Sequence, residues 1–87
     1  MATVRLRNPL KQYAGGVGEH AVGADTVLNA LLELERVQPG LRGWILDERG
    51  RIRRHINVFV NGEPAGGDTP VSGSDRIDVL PAISGGS

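Results

Sequence analysis

Cysteine is absent from this 87-residue chain, and no apolar run approaches the length of a membrane span. Without cysteine the chain has no disulfide, no thiolate ligand for zinc and no cysteine nucleophile. A small fold without disulfides suits a reducing compartment, so we expect a cytoplasmic protein. A spanning helix needs about 20 apolar residues, and the N-terminal segment lacks the basic-then-apolar order of a secretory signal. The sequence therefore predicts no membrane partner.

A net charge of one sign is also missing, since ten Lys and Arg residues balance ten Asp and Glu residues. Such a chain has no overall field that steers it towards nucleic acid, so we expect no nucleic-acid partner. His20 and His55 lie far apart, and no phosphate-binding loop or nucleophile motif occurs. A domain of this length has little room for a buried active site. We therefore expect no metal site, no bound cofactor and no enzymatic activity of its own.

One basic run stands out against this balance, because the segment Arg49 to His55 holds four arginines. Such a run binds phosphates, binds an acidic protein surface, or is a solvated loop without a partner. The chain has only three aromatic residues, Tyr13, Trp44 and Phe59, and none lies inside the run. Because single-stranded nucleic acid is bound largely by stacking aromatic side chains, nucleic acid is the least favoured of these partners.

The hydrophobic pattern of the first half predicts two strands and a helix. Val4 and Leu6 alternate with polar residues as in a half-buried strand, and Glu19 to Val22 is a second strand after a glycine-rich turn. Asp25 and Thr26 are suitable N-cap residues for a helix that Pro39-Gly40 ends. The predicted apolar stripe of this helix consists of Val27, Leu28, Leu31, Leu32 and Leu34.

The second half predicts an irregular segment followed by strands. Gly40 to Arg54 has no clear period and reads as a short helical turn and a surface loop. Ile56 to Val60 alternates, and the following Asn61-Gly62 is a strong hairpin signal. A last strand around Ile77 to Leu80 ends at Pro81. The fold class is α+β, with a four- to five-stranded mixed sheet packed on one main helix and the terminal strands side by side, the β-grasp (ubiquitin-like) arrangement.

Phe59 and Leu80 predict an apolar patch on the free face of this sheet. Phe59 has the parity opposite to Val58 and Val60, so we expect it to be exposed, and Leu80 shares the face of Asp78. Contiguous exposed apolar residues mark interaction sites, although single exposed ones are common. We expect a partner-binding surface here.

Beyond a domain of residues 1–81, residues 82–87 predict a flexible tail. Its last four residues are Ser84, Gly85, Gly86 and Ser87. Small side chains favour neither helix nor strand, and six residues extend by at most about 20 Å. Composition leaves three interpretations open: a terminus that threads a narrow channel in another enzyme, a frayed end, or a Gly-Gly-Ser remnant of cloning.

The segment Ile56 to Glu63, followed by Asp75 to Gly86, strongly resembles the ubiquitin-like sulfur carriers. This family includes the small subunit of molybdopterin synthase, the thiamine sulfur carrier and the cysteine-forming sulfur carrier. The loop Leu46 to Gly50 is most similar to the cysteine-forming subgroup. The resemblance extends over nearly the whole chain and implies a protein co-substrate rather than an enzyme.

The resemblance also implies a chemistry for the terminus. An E1-like adenylyltransferase adenylates the carboxylate of Gly86 with ATP, and sulfur from a donor then replaces AMP to leave a thiocarboxylate. That sulfur passes to a sulfur-accepting synthase. The resemblance assigns partner binding to Phe59, Leu80 and Ile83, and insertion into the partner's active site to the tail.

Active carriers end at the second glycine, whereas this sequence continues to Ser87. One extra residue displaces the carboxylate by about 3.5 Å, and a misplacement near 1 Å can cost on the order of a hundredfold in rate. The resemblance therefore implies that a metalloprotease removes Ser87 to expose Gly86. Two other functions stay open: a ubiquitin-like modifier that forms isopeptide bonds, and a non-covalent β-grasp adaptor that uses the basic run or the Phe59 face.

Overall fold

A computed structural model describes residues 1–81, which form a five-stranded mixed sheet with one main helix across one face. The strands are β1 Ala2–Leu6, β2 Glu19–Val22, β3 Ile56–Val60, β4 Glu63–Pro64 and β5 Arg76–Pro81, in the order β2-β1-β5-β3-β4. The helices are α1 Leu10–Tyr13 and α2 Val27–Val37, and a 3-10 turn follows at Pro39–Leu41. The predicted α+β class is confirmed. The predicted flexible tail lies outside the described residues.

The two terminal strands lie side by side at the centre of the sheet, as the sequence predicts. β1 and β5 are parallel, with Val4 opposite Ile77 and Leu6 opposite Val79. β2 pairs antiparallel with β1, and β3 pairs antiparallel with β5. Alternate side chains of the central strands are therefore buried in the core. The same topology brings the ends of β1 and β5 and the start of β3 to one end of the sheet.

Helix α2 begins and ends where the sequence predicts. The Thr26 hydroxyl accepts a hydrogen bond from the backbone N–H of Asn29 at 3.2 Å, which caps the first turn. Leu31 is fully buried, but Leu32 is 45% exposed, so its place in the predicted stripe is wrong. The helix packs against β1 and β2, and the small Ala30 occupies the buried face instead. Consecutive residues are rotated by about 100° about the helix axis, so Leu31 and Leu32 cannot both point towards the sheet.

The segment between α2 and β3 has a short helical turn at Pro39–Leu41 and a surface loop after it, as predicted, but it also contributes to the core, which the sequence does not predict. Leu41, Ile45 and Leu46 are buried in the core. An isolated bridge between Leu46 and Ile52, together with a 2.9 Å hydrogen bond from the Arg53 N–H to the Ile45 carbonyl, folds the segment back on itself. Since α2 packs mainly on β1 and β2, apolar residues from this segment complete the core.

Helix α1, which the sequence does not predict, fills the turn between β1 and β2. Its Leu10 is buried, and the ring of Tyr13 stacks on Trp44 with 4.2 Å between ring centroids. A Cβ atom at Gly40 would lie 2.5 Å from the Tyr13 carbonyl oxygen, so a glycine is needed at this contact. A helix of four residues carries too little period to be recognised from sequence.

The hairpin between β3 and β4 forms at Asn61-Gly62, as predicted. Asn61 and Gly62 have φ angles of 52° and 88°, the left-handed pair that a type I′ turn requires. The Asn61 side chain accepts a hydrogen bond from the Arg76 N–H and donates one to Asp75, both at 2.9 Å. Asp75 also accepts a hydrogen bond from the Ser72 N–H at 2.8 Å. These bonds tie the hairpin to the loop that leads into β5.

This network makes the stability of the protein depend on pH. The Asn61 side chain, followed by the Ser72 backbone, lowers the pKa of Asp75 from its ordinary value. Such a carboxylate stabilises the fold above its unfolded-state pKa, and that contribution is lost as pH falls through its lower folded-state pKa. We expect Asp75→Asn to reduce stability at pH 7 and to flatten the acid decline in free energy of unfolding below about pH 4.

Urea titrations followed by circular dichroism between neutral and acid pH measure this effect. The control is Asp68→Asn, which removes an exposed carboxylate outside the network. We expect its free energy of unfolding to fall with pH as it does in the wild type. If the free energy of unfolding of Asp75→Asn falls with pH as steeply as that of the wild type, the role given to the Asp75 carboxylate is wrong.

Candidate functional site

The chain leaves the sheet at the end where α1 and the start of β3 lie. In the antiparallel pairing of β3 and β5, Ile56 lies opposite Pro81 and Asn57 lies opposite Leu80. β1 runs parallel to β5, so α1, which follows β1, lies at this same end. Pro81 therefore lies at the same end of the sheet as α1 and the residues that precede β3. The predicted site residues Ile83, Ser84, Gly85, Gly86 and Ser87 lie outside the described residues.

Phe59 and Leu80 share the sheet face opposite the core, as the sequence predicts. Phe59 lies opposite Asp78, so Leu80 is its diagonal neighbour on the adjacent strand. Phe59 is half-buried, not exposed as predicted, and Leu80 is half-buried too. Phe59 lies between Asp78 on β5 and Pro64 on β4, and these cross-strand neighbours account for its lower exposure. The structure brings the predicted pair together.

A charged network lies beside this apolar pair. Asp78 Oδ1 is 3.5 Å from Arg5 Nε, and Asp78 Oδ2 is 3.2 Å from Arg76 Nε. Exposed ion pairs of this kind contribute only about 0–1 kcal/mol to stability. They leave the free face with an apolar centre and a defined charge pattern, which favours one orientation of a docked partner. We call Arg5, Phe59, Arg76, Asp78 and Leu80 the open-face patch.

Sequence reasoning missed the charged part of the open-face patch. A crease of about 220 Å³ lies at the tail end of this face, and its lining includes Arg5, Arg7, Asp78 and Leu80. The alternation of β1 places Arg5, and Arg7 directly after the strand, on the outward face, but their position beside Leu80 depends on the parallel pairing of β1 with β5.

The basic run lies apart from the open-face patch. Its turn is shaped by Asp47, whose Oδ1 accepts the N–H groups of Arg49 and Arg51, both at 2.9 Å. Arg51, Arg53 and Arg54 border a groove of about 660 Å³. The apolar part of that groove is formed by residues that include Leu28, Ile52, Ile56 and Val58. The run is therefore neither a detached loop nor part of the patch that Phe59 forms.

Residues 1–81 contain neither a membrane-spanning helix nor a cluster of metal-binding side chains. None of their helices combines the length and the apolar character that crossing a bilayer requires. Over the same range, no three His, Asp or Glu side chains are grouped so that they could hold a metal ion.

Comparison with known proteins gives a consistent result over the length of the chain. The ThiS family profile matches residues 4–86. The sulfur carrier protein CysO of Mycobacterium tuberculosis is 29% identical over 90 aligned positions, and the alignment covers 97% of each chain. Small archaeal modifier protein 1 of Haloferax volcanii is 34% identical over 64 residues, 74% of each chain. A chain in the crystal structure of the Amycolatopsis orientalis BexX/CysO complex superposes with a TM-score of 0.88 at 28% identity, covering 98% of this chain and 99% of that one.

These similarities confirm the β-grasp fold that the order of strands and helix predicts. The family match begins in β1 and continues to Gly86, so it includes both the sheet and the Gly85-Gly86 pair. The resemblance drawn from Ile56 to Glu63 and from Asp75 to Gly86 is confirmed by the same match. The chain therefore belongs to the ThiS family of ubiquitin-like sulfur carriers.

Proposed function

We propose that this protein carries sulfur as a thiocarboxylate at Gly86. An E1-like adenylyltransferase adenylates the Gly86 carboxylate, and a sulfur donor converts the adenylate to the thiocarboxylate. A sulfur-accepting synthase then takes the sulfur. The protein is a co-substrate in each step, because ATP and the sulfur donor are used through the activating enzyme. The observation that carries this proposal is the family match, which extends through Gly86.

The chemistry needs an activated carboxylate. A carboxylate oxygen of Gly86 attacks the α-phosphorus of ATP, and pyrophosphate leaves. A sulfur nucleophile then attacks the acyl carbon, and AMP leaves with the bonding electron pair. A free carboxylate is a poor electrophile, whereas the acyl-adenylate has a good leaving group. Glycine suits the reacting position because it has no Cβ to limit the approach of the enzyme.

The position of β5 supports this assignment. β5 is paired with β1 as far as Val79 and with β3 as far as Pro81, so the sheet fixes the point from which the tail starts. Gly86 is the fifth residue after Pro81, so it lies at most about 17 Å from Pro81 when the chain is extended. A terminus of this length reaches an enzyme active site while the folded body stays outside.

The body then supplies the contacts that hold the partner. We assign this role to Phe59 and Leu80 of the open-face patch, with Ile83 at the start of the tail. The half-buried Phe59 and Leu80 present apolar surface, and the ion pairs of Asp78 orient the partner. We also propose that a metalloprotease removes Ser87, so that Gly86 becomes the terminal residue.

Intact-mass measurement tests the proposed function directly. A chain ending at Gly86 is incubated with an E1-like adenylyltransferase, ATP and a sulfide source, and the mass of the product is recorded. We expect the mass change of one oxygen replaced by sulfur, and no change when ATP is omitted. An unchanged mass in the complete reaction would contradict the proposal.

A second candidate function is protein modification, which the 34% identity to small archaeal modifier protein 1 favours. It uses the same activated Gly86, but a lysine amine of a target protein attacks the acyl carbon. Higher-mass conjugates that disappear from cells when Gly86 is deleted would show this function. Thiocarboxylate without such conjugates would leave the carrier function alone.

A further inference from the structure

An exposed tryptophan lies in a basic cleft near the end of β5. Trp44 is 44% exposed, the highest exposure of any aromatic residue in the described chain. The cleft has a volume of about 430 Å³ and is lined by Arg42, Gly43, Trp44, Arg53 and His55. No carboxylate is among these lining residues. We call this site the Trp44 cleft.

The fold assembles the Trp44 cleft from parts that are separate in the sequence. Trp44 precedes the basic run, and no aromatic residue lies inside that run. The bridge between Leu46 and Ile52 reverses the chain, and the Arg53 N–H donates to the Ile45 carbonyl at 2.9 Å. Arg53 therefore lies beside the residue that follows Trp44. An aromatic ring and the basic run thus share one surface.

The indole ring of Trp44 is held in place. It stacks on Tyr13 with 4.2 Å between ring centroids and 9° between ring planes. The close approach of Gly40 to the Tyr13 carbonyl joins the backbones that carry the two rings. A side chain that is already ordered loses little entropy when a partner binds. Trp, Tyr and Arg are also the residue types that most often dominate the energy of protein interfaces.

The charge of the Trp44 cleft indicates an acidic occupant. Arg42 and Arg53 also line an adjoining groove with Glu35, Asp47 and Glu48, which offset part of their charge, but none of these carboxylates lines the Trp44 cleft. Among residues 1–81, no hydrogen-bond acceptor meets the Nε–H of Arg53, although this atom is buried. Because a partner cannot reach a buried atom, the acidic occupant is inferred from the charge of the lining arginines, Arg42 and Arg53.

The location of the Trp44 cleft indicates which partner brings that acidic surface. His55 immediately precedes Ile56, and Ile56 lies opposite Pro81, where the tail begins. α1, which carries Tyr13, lies at the same end of the sheet. An enzyme that holds Gly86 within about 17 Å of Pro81 must place part of its surface against this end.

We propose that the Trp44 cleft docks an acidic surface of the enzyme that activates the tail. This inference rests on the proposed function, because it takes the activating enzyme as the partner that receives Gly86. It adds a second contact to the open-face patch, and the two contacts together hold the body of the carrier while the tail is adenylated. The contact is electrostatic at its rim and apolar at Trp44, so binding should weaken as ionic strength rises.

Trp44 is the only tryptophan in the chain, so a fluorine label reports on this site alone. The carrier ending at Gly86 is labelled with 5-fluorotryptophan, and the unlabelled activating enzyme is added without ATP. We expect the single ¹⁹F resonance to shift or broaden with the enzyme and to recover at high salt. An unchanged resonance at saturating enzyme would overturn the proposal, and so would a shift caused by ATP alone, which would indicate a nucleotide site.

Adenylation kinetics give the second measurement. We expect Trp44→Ala and Arg42→Glu each to raise the KM for the carrier by about tenfold or more, with kcat nearly unchanged. The matched controls are Leu32→Ala, an apolar residue of similar exposure on α2, and Arg49→Glu, an equal charge change at an exposed arginine that does not line the cleft. Arg42→Glu leaves both stacked rings in place, so it tests the cleft even where Trp44→Ala unfolds the protein.

The two proposals fail in different ways. If the wild-type chain is adenylated and the cleft variants match it in KM, the docking assignment is wrong and the proposed function stands. If the enzyme shifts the ¹⁹F resonance but produces neither adenylate nor thiocarboxylate, the proposed function is wrong and the cleft is still a docking surface. The absence of both signals would overturn both.

Discussion

A chain that keeps Ser87 is expected to be adenylated at least about a hundredfold more slowly than a chain that ends at Gly86. The extra residue displaces the reacting carboxylate by about 3.5 Å and places a Cβ at the terminal position. The body of the carrier is identical in the two chains, so the affinity for the activating enzyme should be nearly unchanged. Pyrophosphate release at saturating ATP measures the rate, and calorimetric titration measures the affinity.

A chain that ends at Gly85 is the matched control for Ser87. It displaces the carboxylate by the same distance in the opposite direction, so a slow rate in both chains shows that position is the cause. Equal rates for the chains ending at Gly86 and Ser87 would show that the enzyme accepts the longer terminus. The proposed removal of Ser87 by a metalloprotease would then be unnecessary.

Phe59→Ala is expected to raise the KM for the carrier by about tenfold or more in the reaction of the enzyme that docks on the open-face patch. Phe59 is half-buried between β4 and β5, so the substitution removes apolar contact area from the free face while the core residues stay in place. An interaction that is equally strong in the ground state and the transition state changes KM and leaves kcat alone. Steady-state kinetics with the activating enzyme and with the synthase identify which of them uses the patch.

Leu32→Ala is the control for Phe59→Ala, because Leu32 is exposed on α2 and lies away from the open-face patch. Urea titration of both variants shows whether either loses stability. If Phe59→Ala folds normally and keeps the wild-type KM with both enzymes, the open-face patch is not their docking surface.

The regular elements of the fold follow from short-range pattern. Period-two alternation identifies β1, β3 and β5, and the capped apolar stripe identifies α2, because burial of one face selects those patterns directly. The hairpin at Asn61-Gly62 follows from backbone stereochemistry, since both residues tolerate a left-handed conformation. Predicting these features requires no information about residues that are distant in the sequence.

The segments without period were predicted less well. Leu41, Ile45 and Leu46 belong to the core, although the sequence predicts only a short helical turn for them and no core packing. Their burial depends on where α2 stops covering the sheet, which is a property of the packed molecule. The short helix α1 was missed for a related reason, because four residues do not complete enough turns to show a period.

The candidate sites, too, were predicted only in part from the sequence. Phe59 and Leu80 were identified by strand parity, but their diagonal placement and their reduced exposure depend on the register of β3 with β5. The approach of Arg53 to Trp44 depends on a chain reversal that no local sequence pattern predicts.

Composition and alternation were thus sufficient for the fold class, and the resemblance of Ile56 to Glu63 and of Asp75 to Gly86 to known sulfur carriers indicated the family and the proposed reacting carboxylate. These properties are local, since each is set by a residue and its near neighbours along the chain. The open-face patch and the Trp44 cleft required the folded molecule, because residues distant in sequence become neighbours only when strands pair and the core closes. The chemistry of the protein surface therefore depends on strand register and packing, whereas the fold class follows from the hydrophobic pattern of the sequence.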